Sequence, residues 1–541
     1  MTAGNPVSLV ALWLVLLAFA VSADPEVIDE AQLEADGVRI GEIVLLKHDV
    51  FDTSDPREDK APYRLANKLH MDTRDDVITR QILLKPGDLY SRRLVDESER
   101  ILRGRRYLYD ASIVPVNLRD GRVDLLVTTR DVWTLKPSLS VSRKGGENKS
   151  NTGLEERNLL GRGQELSLSR TDDVDRESNI FLFRDPHIRG SRMSATVRLE
   201  DNSDGHSYRV SASRPFYSFD TTWSAGFSLL DDERITTLYS LGDEAAEYQH
   251  DRSLYQLSWG WSAGLVEDSV RRYWVGLVHD DNEFSAVPDG TLAVVVPEDR
   301  KLIFPFVAFE WLQDDYVTTR NKDQIGRTED FYMGARLTGS LGVVADALGS
   351  DRDALIYSAT LGRGFGSIES RALLATIWAS GRQESGTSAN ALVGLNMRYY
   401  WQLSDRRMVF ATVEASRGHR LDIDNVMELG GDTGLRGYPL RYQTGESRAL
   451  LTLEQRFFWD WYPWRLFRVG GAMFADVGRV WGTNYTGEPD QGTLKDVGIG
   501  LRFAPTRSGH RKMVHLDIAF PLDGDGSIDD VQILLESRSG F

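Results

Sequence analysis

The residue with the most specific chemistry in this 541-residue chain is Arg436, carried in Gly430-Gly-Asp-Thr-Gly-Leu-Arg-Gly-Tyr-Pro-Leu440. A guanidinium offers a rigid fork of donors that fits a carboxylate, and out of water it requires such a partner. Glycines on both sides leave the backbone free to lie close against a wall. The core Leu435-Arg436-Gly437-Tyr438 therefore reads as a loop that docks a single cation into a prepared acidic pocket, which is positioning rather than turnover. Taken alone, Arg-Gly-Tyr is an ordinary surface turn. Its setting among short alternating strands, behind an apolar N-terminus, favours a loop folded into the lumen of a transmembrane β-barrel.

Catalytic chemistry finds no comparable support, so no enzyme is expected. The chain has no cysteine, which excludes thiolate nucleophiles, thiolate metal sites and disulfides. Its 9 histidines show neither His-x-x-Glu-His nor His-x-x-x-His spacing. The glycine-rich Gly362-Arg-Gly-Phe-Gly366 is expected to lie between strands as a hairpin turn. Asp523-Gly-Asp-Gly-Ser-Ile-Asp-Asp530 has its glycines in the wrong places for an EF-hand and reads as a solvated outer loop. No cofactor and no metal are expected. A net charge of -17 and a pI of about 5.1 argue against a nucleic-acid partner, because no basic surface is available for phosphates.

Residues 1–23 carry no charged side chain, and the apolar run Val10–Ala20 ends in Val21-Ser-Ala23, the pattern of a cleaved secretory signal. From Val38 to about Trp133 the pattern is mixed, in the order β-α-α-β-β. A strand comes first, then a polar stretch with Pro56 and Pro62. A helix over 73–82 follows, then a second one capped by Ser91 with Leu94, Ile101 and Leu102 on one face. A hairpin turning at Asp120-Gly121 completes the unit. Beyond Thr134 the period becomes two. Tyr255-Gln-Leu-Ser-Trp-Gly-Trp-Ser262 alternates large apolar with small polar residues, and Trp223–Leu229 and Val409–Ala415 repeat the scheme. Phe457-Phe-Trp-Asp-Trp-Tyr-Pro-Trp464 suits an interfacial aromatic girdle. The last segment puts Val531, Ile533, Leu535 and Phe541 on one face of a closing strand. Counted from pattern, the barrel needs about 18 to 20 strands, within the range known for such walls.

Leu84-Lys-Pro-Gly-Asp-Leu-Tyr-Ser-Arg-Arg-Leu-Val-Asp-Glu-Ser-Glu-Arg-Ile-Leu-Arg103, in that element order, resembles a POTRA domain, the periplasmic module of outer-membrane assembly barrels. Residues 24–133 are accordingly expected to form one such domain with an insertion at 47–72, and residues 134–541 the barrel. The barrel half is similar to the BamA/TamA-type family, also called the bacterial surface antigen family. The stretches that match are Arg157–Gln164, Leu435–Tyr438, Thr452–Gln455 and Phe474–Asn484. The final aromatic resembles that family's β-signal. The resemblance implies about 16 strands, and an Arg436 held in the lumen by Asp476 and Glu454. Alternation is consistent with that geometry. Leu451 and Leu453 suit lipid, which turns Arg448, Thr452, Glu454 and Arg456 inward; Met473, Ala475 and Val477 likewise leave Phe474, Asp476 and Gly478 inside.

By the same resemblance the protein sits in the outer membrane of a Gram-negative bacterium, with its POTRA domain in the periplasm. It would insert or translocate client proteins without ATP, in contact with the lipid bilayer and with periplasmic or lipoprotein accessory subunits. A client strand would pair with the POTRA edge at Ser112–Asn117 and pass to the seam where the first strand, Thr134–Arg143, meets the last. Two alternatives stay open: a secretion transporter of the same superfamily, and a passive porin or nutrient channel.

Overall fold

The computed structural model describes residues 28–541 apart from 289, 488, 510, 511, 525 and 527, so the signal-like segment lies outside the described residues. The N-terminal domain is built on a three-stranded sheet. Its central strand, Arg122–Asp131, runs parallel to Arg39–His48 and antiparallel to Leu108–Arg119. Helix Arg92–Arg103 packs Val95 and Leu102 into a core with Ile40, Leu108 and Leu125. Its buried Ser98 is satisfied by donating to Leu94 O at 2.6 Å and accepting from Leu83 N at 2.9 Å. The outer side of Arg39–His48 is bridged by Leu89, whereas Leu108–Arg119, which includes Ser112–Asn117, has no strand beyond it among the described residues, although Ile113 N donates to Glu99 Oε1 at 2.6 Å. Two helices, Glu30–Ala35 and Ala61–Leu69, add to the expected order, the second inside the 47–72 insertion. The helix expected over 73–82 is only Asp75–Thr79. Thr73 does not cap it: its N–H donates to Asp131 Oδ2 at 2.8 Å and its hydroxyl accepts from Asn158 Nδ2 at 2.9 Å, across to the barrel.

From Leu135 onward the chain forms a closed antiparallel barrel of 20 strands among the described residues, so the family-implied 16 is corrected upward and the pattern count meets its upper bound. Among the described residues no helix is long and apolar enough to cross a membrane, which says nothing of a β-barrel. The expected alternation is present. Tyr255, Leu257, Trp259 and Trp261 point outward, and Trp261 stacks between Trp259 and Tyr273 at 5.3 and 5.7 Å. Gly362–Gly366 is not a turn but lies within strand Ala354–Ser367. Glycine is needed there because something approaches from inside: a Cβ on Gly364 would stand 2.8 Å from Met333 Cε. Met333 belongs to the 314–335 connection, whose small hairpin (Tyr316–Arg320 with Thr328–Tyr332) lies at the near end of the barrel, the end carrying the N-terminal domain. Trp459, Trp461 and Trp464 are exposed on a near-end turn, as a girdle requires.

Closure is uneven. The last strand, Gln532–Arg538, pairs with its hairpin partner from Ala519–Gln532 to Met513–Arg538. It meets the first strand, Leu135–Lys144, through one backbone pair, Leu535 opposite Arg143, reinforced by Lys144 Nζ to Glu536 at 2.7 Å. Below that pair the two strands form no further backbone pair, and Leu139 is 80% exposed. At the near end Trp133 N donates to Arg507 O at 2.8 Å, so the chain closes again beneath the gap. The result is a window in the wall, bounded above and below.

The gap exists because the chain leaves the wall after Arg538. Val531 and Ile533 face outward and Leu535 is half-buried on the same side, as expected, but Phe541 does not join them. It turns into the lumen, is 7% exposed, and packs on Phe458 with ring centroids 5.0 Å apart. Arg456 Nη2 donates to Phe541 O at 3.2 Å and His515 Nε2 lies 2.8 Å from Gly540 O. Period-two reasoning fails here because it holds only while the chain stays in the sheet.

Candidate functional site

The far-end connection between strands Arg407–His419 and Ser447–Phe458 folds back into the barrel. A short pair, Met427–Leu429 with Gln443–Gly445, forms its neck, and residues 430–440 form its tip. At the tip Arg436 is 1% exposed. Its Nε and Nη2 donate to Asp476 Oδ2 and Oδ1 at 2.7 and 3.0 Å, a bidentate fork, and Nη1 donates to Glu454 Oε1 at 2.9 Å. The guanidinium also lies 3.4 Å above the ring of Phe474. Glycine at 437 is required by close approach: its N–H donates to Asp496 Oδ2 at 3.0 Å, and a Cβ would come within 2.7 Å of Asp496 Cβ and 3.0 Å of Pro521 N. Leu435 is buried, and the Tyr438 hydroxyl donates to Lys495 O at 2.7 Å. All four motif residues and both carboxylates thus converge on one site.

Sequence reasoning missed Asp496, Arg502 and Asp517. Asp496 stands directly opposite Asp476 in the sheet register. Asp517 lies 3.7 Å from Arg436 Nη1 and is paired with Arg502. The signal was available: on Leu494–Pro505 the residues Val497, Ile499 and Leu501 face outward, which turns Asp496 and Arg502 inward by the alternation already used for Glu454 and Asp476. Arg456 joins the network through Glu454 Oε2 at 2.9 Å. The loop also reaches the other side of the seam, where Arg441 forms a bidentate pair with Asp175 at 2.8 and 2.6 Å. One loop therefore ties the last strands to the first ones across the lumen. These groups hold and orient the tip of the loop.

A second internal element sits at the near end. The 314–335 hairpin binds the N-terminal domain through Asp330, which accepts from Arg103 Nη2 at 2.6 Å and Nε at 3.0 Å, and through Thr328, which donates to Asp110 at 2.8 Å. On its other side Gln324 Nε2 donates to Ser539 O at 2.7 Å and Arg456 Nη1 donates to Lys322 O at 3.1 Å. It bridges the N-terminal domain, the inward-turned last residues and the arginine network. Glu329 closes its tip by accepting from the N–H groups of Lys322, Asp323 and Gln324 at 2.9, 2.9 and 3.1 Å. Burial, with the nearby Asp323 carboxylate, pushes Glu329 up to about 7 from its ordinary 4.5. A carboxyl raised in this way contributes its stability in full below the ordinary value and loses it as pH rises through about 7. Proteolysis of this hairpin should increase between about pH 5 and pH 8 in the native chain but not in Glu329→Gln. Equal pH dependence in both would rule Glu329 out as the cause.

Residues 70–130 match the family model described as POTRA, surface antigen variable number repeat. The chain is 34% identical over 109 residues to a putative outer membrane protein assembly factor of Treponema pallidum (strain Nichols), a stretch covering 18% of this chain and 13% of that relative. The match thus spans far less than two thirds of the relative. Among solved structures, CdiB from Acinetobacter baumannii aligns over 93% of this chain and 74% of its own, with a TM-score of 0.46 and 14% identity. BamA from Haemophilus ducreyi lacking POTRA domains 1–3 aligns over 92% and 84%, with a TM-score of 0.35 and 12% identity. The N-terminal region is therefore POTRA-like, and it is followed by a large β-barrel.

Proposed function

We propose that this chain is a member of the superfamily that contains BamA and TamA, and that it assembles or translocates client proteins at the outer membrane of a Gram-negative bacterium without ATP. The carrying observation is the seam. Where every backbone donor and acceptor in a lipid-facing wall needs a partner, the first strand below Arg143 lacks one from the last strand. An incoming client strand can supply it by augmentation, after a first contact on the open POTRA edge at Ser112–Asn117. Near end and far end are then the periplasmic and extracellular sides. Backbone pairing and apolar burial drive the step, so no nucleotide is consumed. The Arg436 loop holds the flanking strands in place from inside while the wall opens, and accessory subunits would reach the barrel from the periplasm. A passive porin is disfavoured because the loop, the 314–335 hairpin and the last residues all occupy the lumen.

The seam can be locked. Arg143 and Leu535 are direct register partners, which places their Cα atoms about 4.5–5.5 Å apart, within disulfide range. The chain has no other cysteine to interfere. Oxidised Arg143→Cys/Leu535→Cys should abolish client insertion, and reduction should restore it. Full insertion with the seam locked would reject this mechanism, and export of a client through the locked barrel would favour the secretion transporter.

A further inference from the structure

In addition to its contacts with the 314–335 hairpin, the N-terminal domain meets the barrel at Thr73 and Arg74. Besides the Asn158 contact, Arg74 N donates to Gly161 O at 3.0 Å and Arg74 Nε to Leu160 O at 2.9 Å. Immediately before this pivot, His70 and Asp72 converge on Asp131, the last residue of the central POTRA strand. Each of the three can put one ligand atom within 4.8 Å of the others. His70 Nε2 and Asp131 Oδ2 are 3.2 Å apart, close to the roughly 3.3 Å that separates two ligands on a tetrahedral zinc ion with bonds of about 2.0–2.1 Å.

A His–Asp ion pair alone does not account for the rest of the site. Asp131 is 4% exposed, and its Oδ1 has no hydrogen-bond partner among the described residues. A buried carboxylate oxygen with nothing against it is costly unless a cation sits there. Lys47 lies within electrostatic reach of Asp72 and Asp131, but its Nζ is held by Asp75 Oδ1 at 2.7 Å and Thr73 O at 3.2 Å and bonds neither of them. Asp49 adds a further carboxylate within electrostatic reach of His70, Asp72 and Asp131. The pocket is therefore short of positive charge. Asp72 is exposed, which leaves an entry path from solvent.

We propose that His70, Asp72 and Asp131 bind one divalent ion of the zinc class, which clips the 47–72 insertion to the POTRA sheet and pins the pivot on the barrel. One imidazole with two carboxylates suits zinc, whereas calcium and magnesium take nearly all-oxygen shells of six or more ligands. A fourth position would be left to water. The buried trio His515, Asp517 and Glu536 is the competing cluster. There Arg502 already neutralises Asp517, and Lys144 neutralises Glu536, so a metal has less to gain.

The test uses the full chain in detergent, stripped with a chelator and dialysed against zinc, with bound metal measured directly. One equivalent per chain is expected, together with slower protease cleavage between the POTRA domain and the barrel. His70→Ala and Asp72→Asn should each weaken binding by at least the roughly tenfold that loss of even an outer-shell partner costs. Asp72→Asn guards against misfolding, because that side chain is exposed. His515→Ala should bind zinc normally. Zinc retained by both His70→Ala and Asp72→Asn, zinc lost in His515→Ala, or preferential uptake of calcium would each overturn the assignment.

Discussion

Arg436→Ala is expected to cost this barrel roughly 3–5 kcal/mol, because it strands Asp476 in a dry site. The loss is sharpened by the register: Asp476 faces Asp496 across the strand pair, and removing the guanidinium leaves two carboxylates opposite each other. Asp476→Ala should be milder, since Glu454 at 2.9 Å and Asp517 at 3.7 Å remain for the arginine. Partners that interact directly do not add, so the double variant should fall short of the sum of the singles. Arg436→Lys should not rescue, because an ammonium cannot reproduce the fork on Asp476 or lie flat on Phe474. The measurements are the temperature at which the folded form is lost in detergent, and protease cleavage within residues 430–440. Strictly additive effects, or two silent singles, would mean that the loop does not dock on this network.

Loss of Phe541 is the second large effect. Its resemblance to a sorting signal and its observed burial make different demands. A signal read only during delivery would leave the stability of barrel refolded in detergent unchanged, because no assembly machinery is present there. The observed packing on Phe458, with Arg456 bonded to its main-chain oxygen, makes the residue an internal anchor. Phe541→Ala should then lower refolded stability by about 3–5 kcal/mol, the usual cost of truncating a core phenylalanine, and expose the last hairpin to protease. Normal refolded stability with poor delivery in cells would support the signal alone.

The wall of the barrel was legible because its physics is local. Lipid on one side and water or packed polar groups on the other force a period of two, and that period placed Glu454, Arg456, Phe474 and Asp476 on the luminal face. The same rule would have found Asp496, Arg502 and Asp517 had it been carried through strands Leu494–Pro505 and Met513–Pro521. What sequence could not show were contacts between segments far apart in the chain. Gly364 looks like a turn residue until Met333 is seen against it. The strands of the 316–332 hairpin alternate no differently from short wall strands, and nothing in them announces a place inside the lumen. Phe541 has the right parity for the outer face, yet the chain has left the sheet before reaching it.

The strand number has a consequence for permeation. Barrel diameter grows about linearly with strand number, so a wall of 20 strands encloses roughly half as much cross-section again as one of 16. An empty lumen of that width would conduct ions and small solutes freely. The Arg436 loop, the 314–335 hairpin and the residues around Phe541 therefore act together as a seal, and deleting any one of them should appear first as electrical conductance across a planar bilayer.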